Sequence, residues 1–324
     1  MLPEDLDQRI RAFQESRVLL TAIELDLFEA LGPGAAAADA ARALGTDPRA
    51  TEMLLNALAA LGLLDKRDGI FRNTPESARH FTRRSPDDMR LAMMHTVHLW
   101  RTWSTLTECV RTGATLGRRS SGGDDWTVAF IAAMHANASR RALAVVEAVD
   151  ASRVLRMLDI GGGSGAYSIA FAQANPALLA EILDIRDVVP IARRHIEEAG
   201  VADRITAREG DLRTSGFGGG LDLVLISAIC HMLSADENRE LVAKSYAALG
   251  AGGRIVISDF ILDPDRAGPR QAALFALNML VGTSHGNTYT EEEYASWMRA
   301  AGFDGIHRVA LPGPAHLMIG TRPS

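Results

Sequence analysis

The residues best suited to chemistry lie in the run Met157-Leu158-Asp159-Ile160-Gly161-Gly162-Gly163-Ser164-Gly165-Ala166. An apolar stretch enters a loop of glycines there, and a helical segment, Tyr167–Gln173, follows. Glycine lets a backbone turn sharply and approach a ligand with no Cβ in the way. The run also matches the dinucleotide pattern G-x-G-x-x-A through Gly161, Gly163 and Ala166, so alone it does not identify the ligand. Asp184 ends the next apolar run, Ile182-Leu183-Asp184-Ile185, where a carboxylate can accept both hydroxyls of a ribose, whichever cofactor carries it. Gly210-Asp211 follows a third run and discriminates further. A carboxylate at Asp211 can accept an adenine amino group with Leu212 packed on the ring, which nicotinamide redox chemistry does not require; a charged turn residue is the plain alternative.

Those three positions have to be carried by consecutive strands. Short apolar runs alternate with helical segments from Arg153 onward: Val154–Ile160, Ala180–Ile185, Ile205–Arg208, Leu221–Ser227, Gly253–Asp259 and Ile306–Ala310, with Ala315–Gly320 closing. The alternation predicts an α/β fold with a parallel, doubly wound sheet, which binds ligands at the carboxyl ends of its strands. His231 follows the strand Leu221–Ser227, just beyond that same edge. A histidine there can serve as a general base, and a helix-start or core histidine is the plain alternative.

The first part of the chain is different. Residues 8–31 repeat apolar positions at helical spacing, too many for one narrow stripe, which predicts a helix or helix pair buried on more than one side. A partner copy can supply the second surface. An Ala-rich helix to Leu44, a turn at Gly45-Thr46-Asp47-Pro48 with Thr46 or Asp47 as cap, a helix from Arg49 to Leu61 and a hairpin around Asp68-Gly69 make a winged-helix plan. A DNA-reading role fails at the helix that would enter the groove, which carries Arg49 against Asp47 and Glu52 and is otherwise rich in Leu and Met. Residues 87–149 read as several helices holding Met93, Met94, His95, His98, Trp100, Trp103, Trp126, Phe130 and Met134. Aromatic and methionine residues at helical spacing serve either as core or as the wall of an aromatic-substrate pocket. His95 and His98 have no carboxylate or cysteine company, and no metal is expected. The divisions are 1–90 for the winged-helix dimerisation domain, 91–150 for a helical connector and pocket wall, and 151–324 for the α/β domain.

The 324 residues carry 34 Lys+Arg against 40 Asp+Glu, a net charge of −6 that argues against a general nucleic-acid binder. No apolar run is long enough to cross a bilayer, and MLPEDLDQRI lacks the basic start and apolar stretch of a signal peptide. Two cysteines, Cys109 and Cys230, fit a reducing compartment, so the expected location is the cytoplasm.

The chain resembles the dimeric, caffeate-type O-methyltransferases of plants and their bacterial secondary-metabolite relatives. The likeness spans nearly the whole chain: the N-terminal region, F-x-x-x-M at Phe130–Met134, LDIGGGSG, LDIRDVV, REGDL, ISAICHMLSADEN, LGAGGRIVISDFIL and YTEEEYASWMRAAGF. It implies a Rossmann-like methyltransferase domain that binds S-adenosyl-L-methionine and releases S-adenosyl-L-homocysteine, paired as a homodimer through the N-terminal helices. The resemblance sets Gly161, Gly163 and Gly210 against the cofactor, Asp184 on the ribose, and Asp211 with Leu212 on the adenine. Ser227 stands where plant members often have a cofactor-contacting Lys. His231 falls on the general base and Asp259 on one of two acids that brace it. Asn278 and Met279, with Trp126, Phe130 and Met134, are the implied substrate contacts. Two departures stand out: Met232 follows His231 where the family usually has Asp, and Thr288 replaces the second bracing acid. His285, in the segment Gly282–Asn287, can approach His231, but without an acid at 232 a third metal ligand is missing. The expected activity is methylation of a hydroxyl on a small aromatic or polyketide-like metabolite. Carbon or nitrogen methylation, a non-methylating use of the same cofactor, and a cofactor-sensing winged-helix regulator are the alternatives.

Overall fold

A computed structural model describes residues 2–116 and 124–324, apart from the side chains of residues 124 and 125. The chain forms two compact units, one of residues 1–100 with 128–133 and one of residues 101–127 with 134–324. No helix among the described residues is long and apolar enough to cross a membrane.

In the first unit the expected helix or helix pair over 8–31 is three pieces, Glu4–Arg11, Phe13–Glu24 and Leu27–Ala30. The second break falls at Asp26, whose φ of 57° is left-handed and turns the chain. Leu20, Ile23, Leu27, Phe28 and Leu31 are buried in the unit's core, whereas Leu6, Ile10 and Phe13 are 42%, 56% and 54% exposed. The helix Pro48–Ala60 starts as its sequence requires, with Pro48 in the first turn and the Asp47 carboxylate accepting the Ala50 N–H at 2.8 Å. Its buried face, Thr51, Leu55 and Leu58, packs on the hairpin of β2 (Leu64–Arg67) and β3 (Ile70–Asn73) through Leu64 and Phe71. Asp68 and Gly69 turn that hairpin with φ of 50° and 75°, the two left-handed residues of a type I′ turn. The short β1 (Ala35–Ala36) adds to the β3 edge and completes the winged-helix plan.

The second unit is built on β4 (Arg156–Ile160), β5 (Leu179–Asp184), β6 (Ile205–Glu209), β7 (Leu221–Ser227), β8 (Leu249–Leu262), β9 (Tyr289–Thr290), β10 (Asp304–Val309) and β11 (Ala315–Thr321). The main sheet runs β10-β11-β8-β7-β4-β5-β6, with β9 paired to the end of β8. Strands β4 to β8 are mutually parallel where they pair. One strand is reversed within this parallel-dominated sheet: β11 runs antiparallel to both β8 and β10. The link between β10 and β11, Ala310–Pro314, is too short for a crossover and can only reverse the chain. Side chains alternate across the sheet. Met157, Leu223, Leu225 and Leu317 face one core with Phe171 and Ile196. Leu158, Val224, Ile226 and Met318 face the other with Leu241, Tyr294 and Trp297. The chain runs outward from β4 through β5 to β6 and then returns to lay β7 on the other side of β4. That reversal opens a crevice at the carboxyl ends of the strands.

Candidate active site

Three strand tips meet in that crevice. Gly161 and Gly163, past the end of β4, adopt φ of 66° and 60°. A Cβ on Gly161 would also collide with the Ile229 side chain, so the position is closed to larger residues on two counts. The Gly161 N–H donates to Leu183 O at 2.8 Å, and the Gly163 N–H donates to Asp184 Oδ2 at 2.8 Å. Asp184 Oδ1 accepts its neighbour Ile185 N–H at 2.7 Å, and its backbone carbonyl accepts the Gly210 N–H at 2.9 Å. The tips of β4, β5 and β6 are thereby stitched into one strip. Burial pushes the Asp184 carboxyl up while the Gly163 and Ile185 N–H groups pull it down. Each carboxylate oxygen accepts more than one bond, so Asp184 can hold the loop and a ribose hydroxyl together.

Asp211 is exposed beside half-buried Leu212, and its Oδ1 accepts the Arg213 N–H at 2.7 Å. The plain turn role is therefore real, and it engages one carboxylate oxygen. Ser227 ends β7 in register with Ser258 of β8. Beneath the loop lies a residue that sequence reasoning passed over. Asp159 is fully buried, its Oδ2 accepts the Ser168 hydroxyl at 2.7 Å, and its Oδ1 has no partner. Burial, with the charge of Asp184, pushes its carboxyl up to about 7. The signal was an acid inside an otherwise apolar strand, Met157-Leu158-Asp159-Ile160.

On the β7 side, Ala228 sits at a left-handed φ of 57°, a strained value for a residue with a Cβ, and turns the chain into Ile229 and the short helical turn Cys230–Met232. Ile229 thus reaches Gly161, and His231 reaches Asp259 on β8. His231 Nδ1 is 2.7 Å from Asp259 Oδ1, and the His231 backbone N–H donates to Oδ2 at 3.1 Å. Both residues are buried, and the ring meets Phe275 edge-on at 4.8 Å. A carboxylate only accepts, so it sets the proton on Nδ1 and leaves Nε2 as the basic nitrogen. Asn287 N–H donates to the His231 carbonyl at 2.9 Å, and Thr288 follows, fully buried, with a hydroxyl that bonds to nothing. His285 is exposed. Among the described residues no three His, Cys, Asp or Glu side chains are grouped to hold a metal.

The implied substrate contacts are more scattered. Asn278, on the helix Arg270–Gly282, accepts the Trp103 indole N–H at 2.8 Å, and Met279 is buried. Trp126, Phe130 and Met134 are half-buried at four-residue spacing on the helix Asp124–Val149, hence on one side of it. Phe130 belongs to the first unit, where it meets His95 edge-on at 5.3 Å.

A model for an O-methyltransferase domain matches residues 112–304, and one for an O-methyltransferase dimerisation domain matches residues 8–83. The chain is 35% identical to a 3-hydroxy-5-methyl-1-naphthoate 3-O-methyltransferase of Streptomyces sahachiroi over 318 residues, 95% of this chain and 92% of that one. It is 31% identical to an L-tyrosine C(3)-methyltransferase of Streptomyces lavendulae, over 94% of this chain and 88% of the other. Its fold matches the solved structure of PigF with SAH, whose protein comes from a Serratia species, with a TM-score of 0.91 at 28% identity, over 99% of this chain and 100% of that one. The donor set is of a kind that fits the cofactor of such enzymes: a glycine loop with left-handed turns, a carboxylate at the tip of β5 in Asp184, and an acid with an apolar neighbour at Asp211 and Leu212. The chain belongs to the O-methyltransferase family and is an S-adenosylmethionine-dependent methyltransferase with an N-terminal dimerisation domain.

Proposed function

We propose that the enzyme methylates a hydroxyl on a small aromatic or polyketide-like metabolite, with His231 as general base. The observation that carries this reading is the 2.7 Å contact between His231 Nδ1 and Asp259, which directs Nε2 to act as acceptor. When bound, the cofactor supplies an electrophilic methyl group on a positively charged sulfur. A phenol with a pKa of about 10 is almost wholly protonated at neutral pH, so a base is needed, and Nε2 is free of the carboxylate and able to take the proton as the oxygen attacks. The buried Asp259 carboxylate then stabilises the imidazolium. The naphthoate named for the S. sahachiroi relative supports an aromatic acceptor. So do Trp126, Phe130 and Met134 on one side of a helix, with Asn278 and Met279 as further contacts.

His231→Ala is expected to lower turnover by about 10²–10⁴-fold, the usual worth of a positioned base, while S-adenosylhomocysteine binding by calorimetry stays within about twofold. Turnover close to wild type would remove the base assignment. A second reading, carbon methylation, is favoured by the L-tyrosine C(3)-methyltransferase relative and by Met232 and Thr288 standing where the resemblance expects acids. NMR of the methylated product separates the two.

The exposed Leu6, Ile10 and Phe13 in the dimerisation domain support a homodimer joined through the N-terminal helices. The double variant Ile10→Asp/Phe13→Asp is expected to sediment as a monomer, and an unchanged sedimentation coefficient would place the interface elsewhere.

A further inference from the structure

A second histidine cluster touches the cofactor loop from behind. His135 lies on the helix Asp124–Val149, with Nδ1 2.8 Å from Ser164 Oγ and Nε2 3.3 Å from Ser139 Oγ. Ser164 belongs to the run Gly161–Gly165 and is only 3% exposed. The other face of the arrangement is His195, on the helix Val189–Glu198 between β5 and β6, whose ring stacks on His135 at 4.3 Å and 14°. One imidazole therefore ties the loop to two helices. The charged groups around the pair are few. Glu198 Oε2 is 3.6 Å from His195 Nδ1, and Arg194 acts on His195 from the same helix. Burial lowers both rings; the charge His195 would carry lowers His135 further, Arg194 lowers His195 further, and Glu198 opposes both.

Protonation would change the contact chemically. In a neutral ring Nδ1 can accept the Ser164 hydroxyl hydrogen while Nε2–H donates to Ser139. A cationic ring donates from both nitrogens, so Ser164 has to turn its own hydrogen away within a buried site. The added positive charge would also face a stacked imidazole inside a half-buried site.

We propose that His135 is a positioning residue for the cofactor: in its neutral form it holds Ser164, and with it the glycine loop, in binding geometry, and acid weakens cofactor binding by protonating it. The proposal rests on the use of an adenosyl cofactor and is independent of His231 and of the acceptor.

The test is calorimetric binding of S-adenosylhomocysteine to the full-length protein at pH 8 and pH 5.5. Asparagine keeps an amide near the Nδ1 position but cannot ionise. Asp159 and Asp184 titrate under the same loop in every variant, so the contribution of His135 is the difference between profiles. Wild type is expected to lose about tenfold in affinity between the two pH values, and His135→Asn to match wild type at pH 8 and lose only about two- to threefold. His135→Ala is expected to bind about tenfold more weakly at pH 8. Ser164→Ala, which breaks the link from the other side, is expected to flatten the profile as His135→Asn does. A His135→Asn or Ser164→Ala profile as steep as wild type, or full affinity in His135→Ala at pH 8, would overturn the proposal. So would variants that lower the melting temperature but leave the pH dependence of binding intact.

Discussion

The two ends of the crevice are built on different principles. At the cofactor end the frame is mostly backbone: the Gly161 and Gly210 N–H groups donate to the Leu183 and Asp184 carbonyls and the Gly163 N–H to the Asp184 carboxylate, so three adjacent strand tips fix one another. At the proposed acceptor end the chemistry rests on side chains, with His231 Nδ1 held 2.7 Å from Asp259. A grip made of backbone follows from sheet topology and tolerates many sequences outside the glycines. A pocket made of side chains changes with single substitutions, which accords with relatives of similar identity that methylate oxygen or carbon. Substitutions at the acceptor end should therefore alter turnover and spare cofactor binding, and those at the cofactor end should do the reverse.

The largest effect expected is at Asp259. Asp259→Asn leaves a side chain of the same shape but offers Nδ1 an amide donor, which favours the wrong ring tautomer and removes the charge that stabilises the imidazolium. If His231 is the base, turnover should fall on the order of 10⁴-fold, as when the carboxylate behind a catalytic histidine is neutralised elsewhere. Calorimetric affinity for S-adenosylhomocysteine should be unchanged. An equal loss of both would erase the contrast between the two ends.

Asp159 probes the cofactor end through stability. Its carboxyl is held up to about 7 by burial, so the folded state keeps a proton that the unfolded chain releases near pH 4. Stability is therefore lost as pH rises from about 4 to 7 and is level above. The loss is on the order of 4 kcal/mol at most, since each tenfold gain in proton affinity is worth about 1.36 kcal/mol. Asp159→Asn removes this dependence. Urea denaturation should show the variant gaining on wild type between pH 5 and pH 8, and parallel profiles would mean the native carboxyl is already ionised at pH 5.

Gly161→Ala comes next. It forces a Cβ into a left-handed backbone and against Ile229, which should cost about 1–3 kcal/mol of stability and weaken cofactor binding at least tenfold. Adding Ile229→Ala relieves the collision but not the backbone strain, so calorimetry should recover only part of the affinity. Full recovery would show that the left-handed conformation itself is unimportant.

The same contrast explains what could be read from the residues alone. LDIGGGSG, the Asp184 and Gly210-Asp211 positions and the runs that became β4 to β8 were legible because backbone geometry writes itself locally, as turns, caps and alternating apolar positions. The Asp47 cap and the Asp68-Gly69 turn were legible for the same reason. Contacts between distant side chains left no local mark. Trp103 and Asn278 are 175 residues apart, and His135 and Ser164 are 29 apart on different elements. The left-handed Asp26 that divides the N-terminal helix, and the reversed β11, depend on packing and on one short link rather than on periodicity.

The smallest effect sharpens the comparison most. Thr288 stands where the resemblance places a second acid beside the base, one residue after the Asn287 N–H that holds the His231 carbonyl. Its hydroxyl is buried and unpaired, so it carries a desolvation cost that no bond returns. Thr288→Val keeps the shape and removes the polar atom, and should raise stability by up to about 1 kcal/mol with turnover unchanged. A fall in turnover would mean that the hydroxyl contacts the base or the acceptor during the reaction, and that support for His231 is shared between two residues. Unchanged turnover with a higher melting temperature leaves Asp259 as the support on which the base depends.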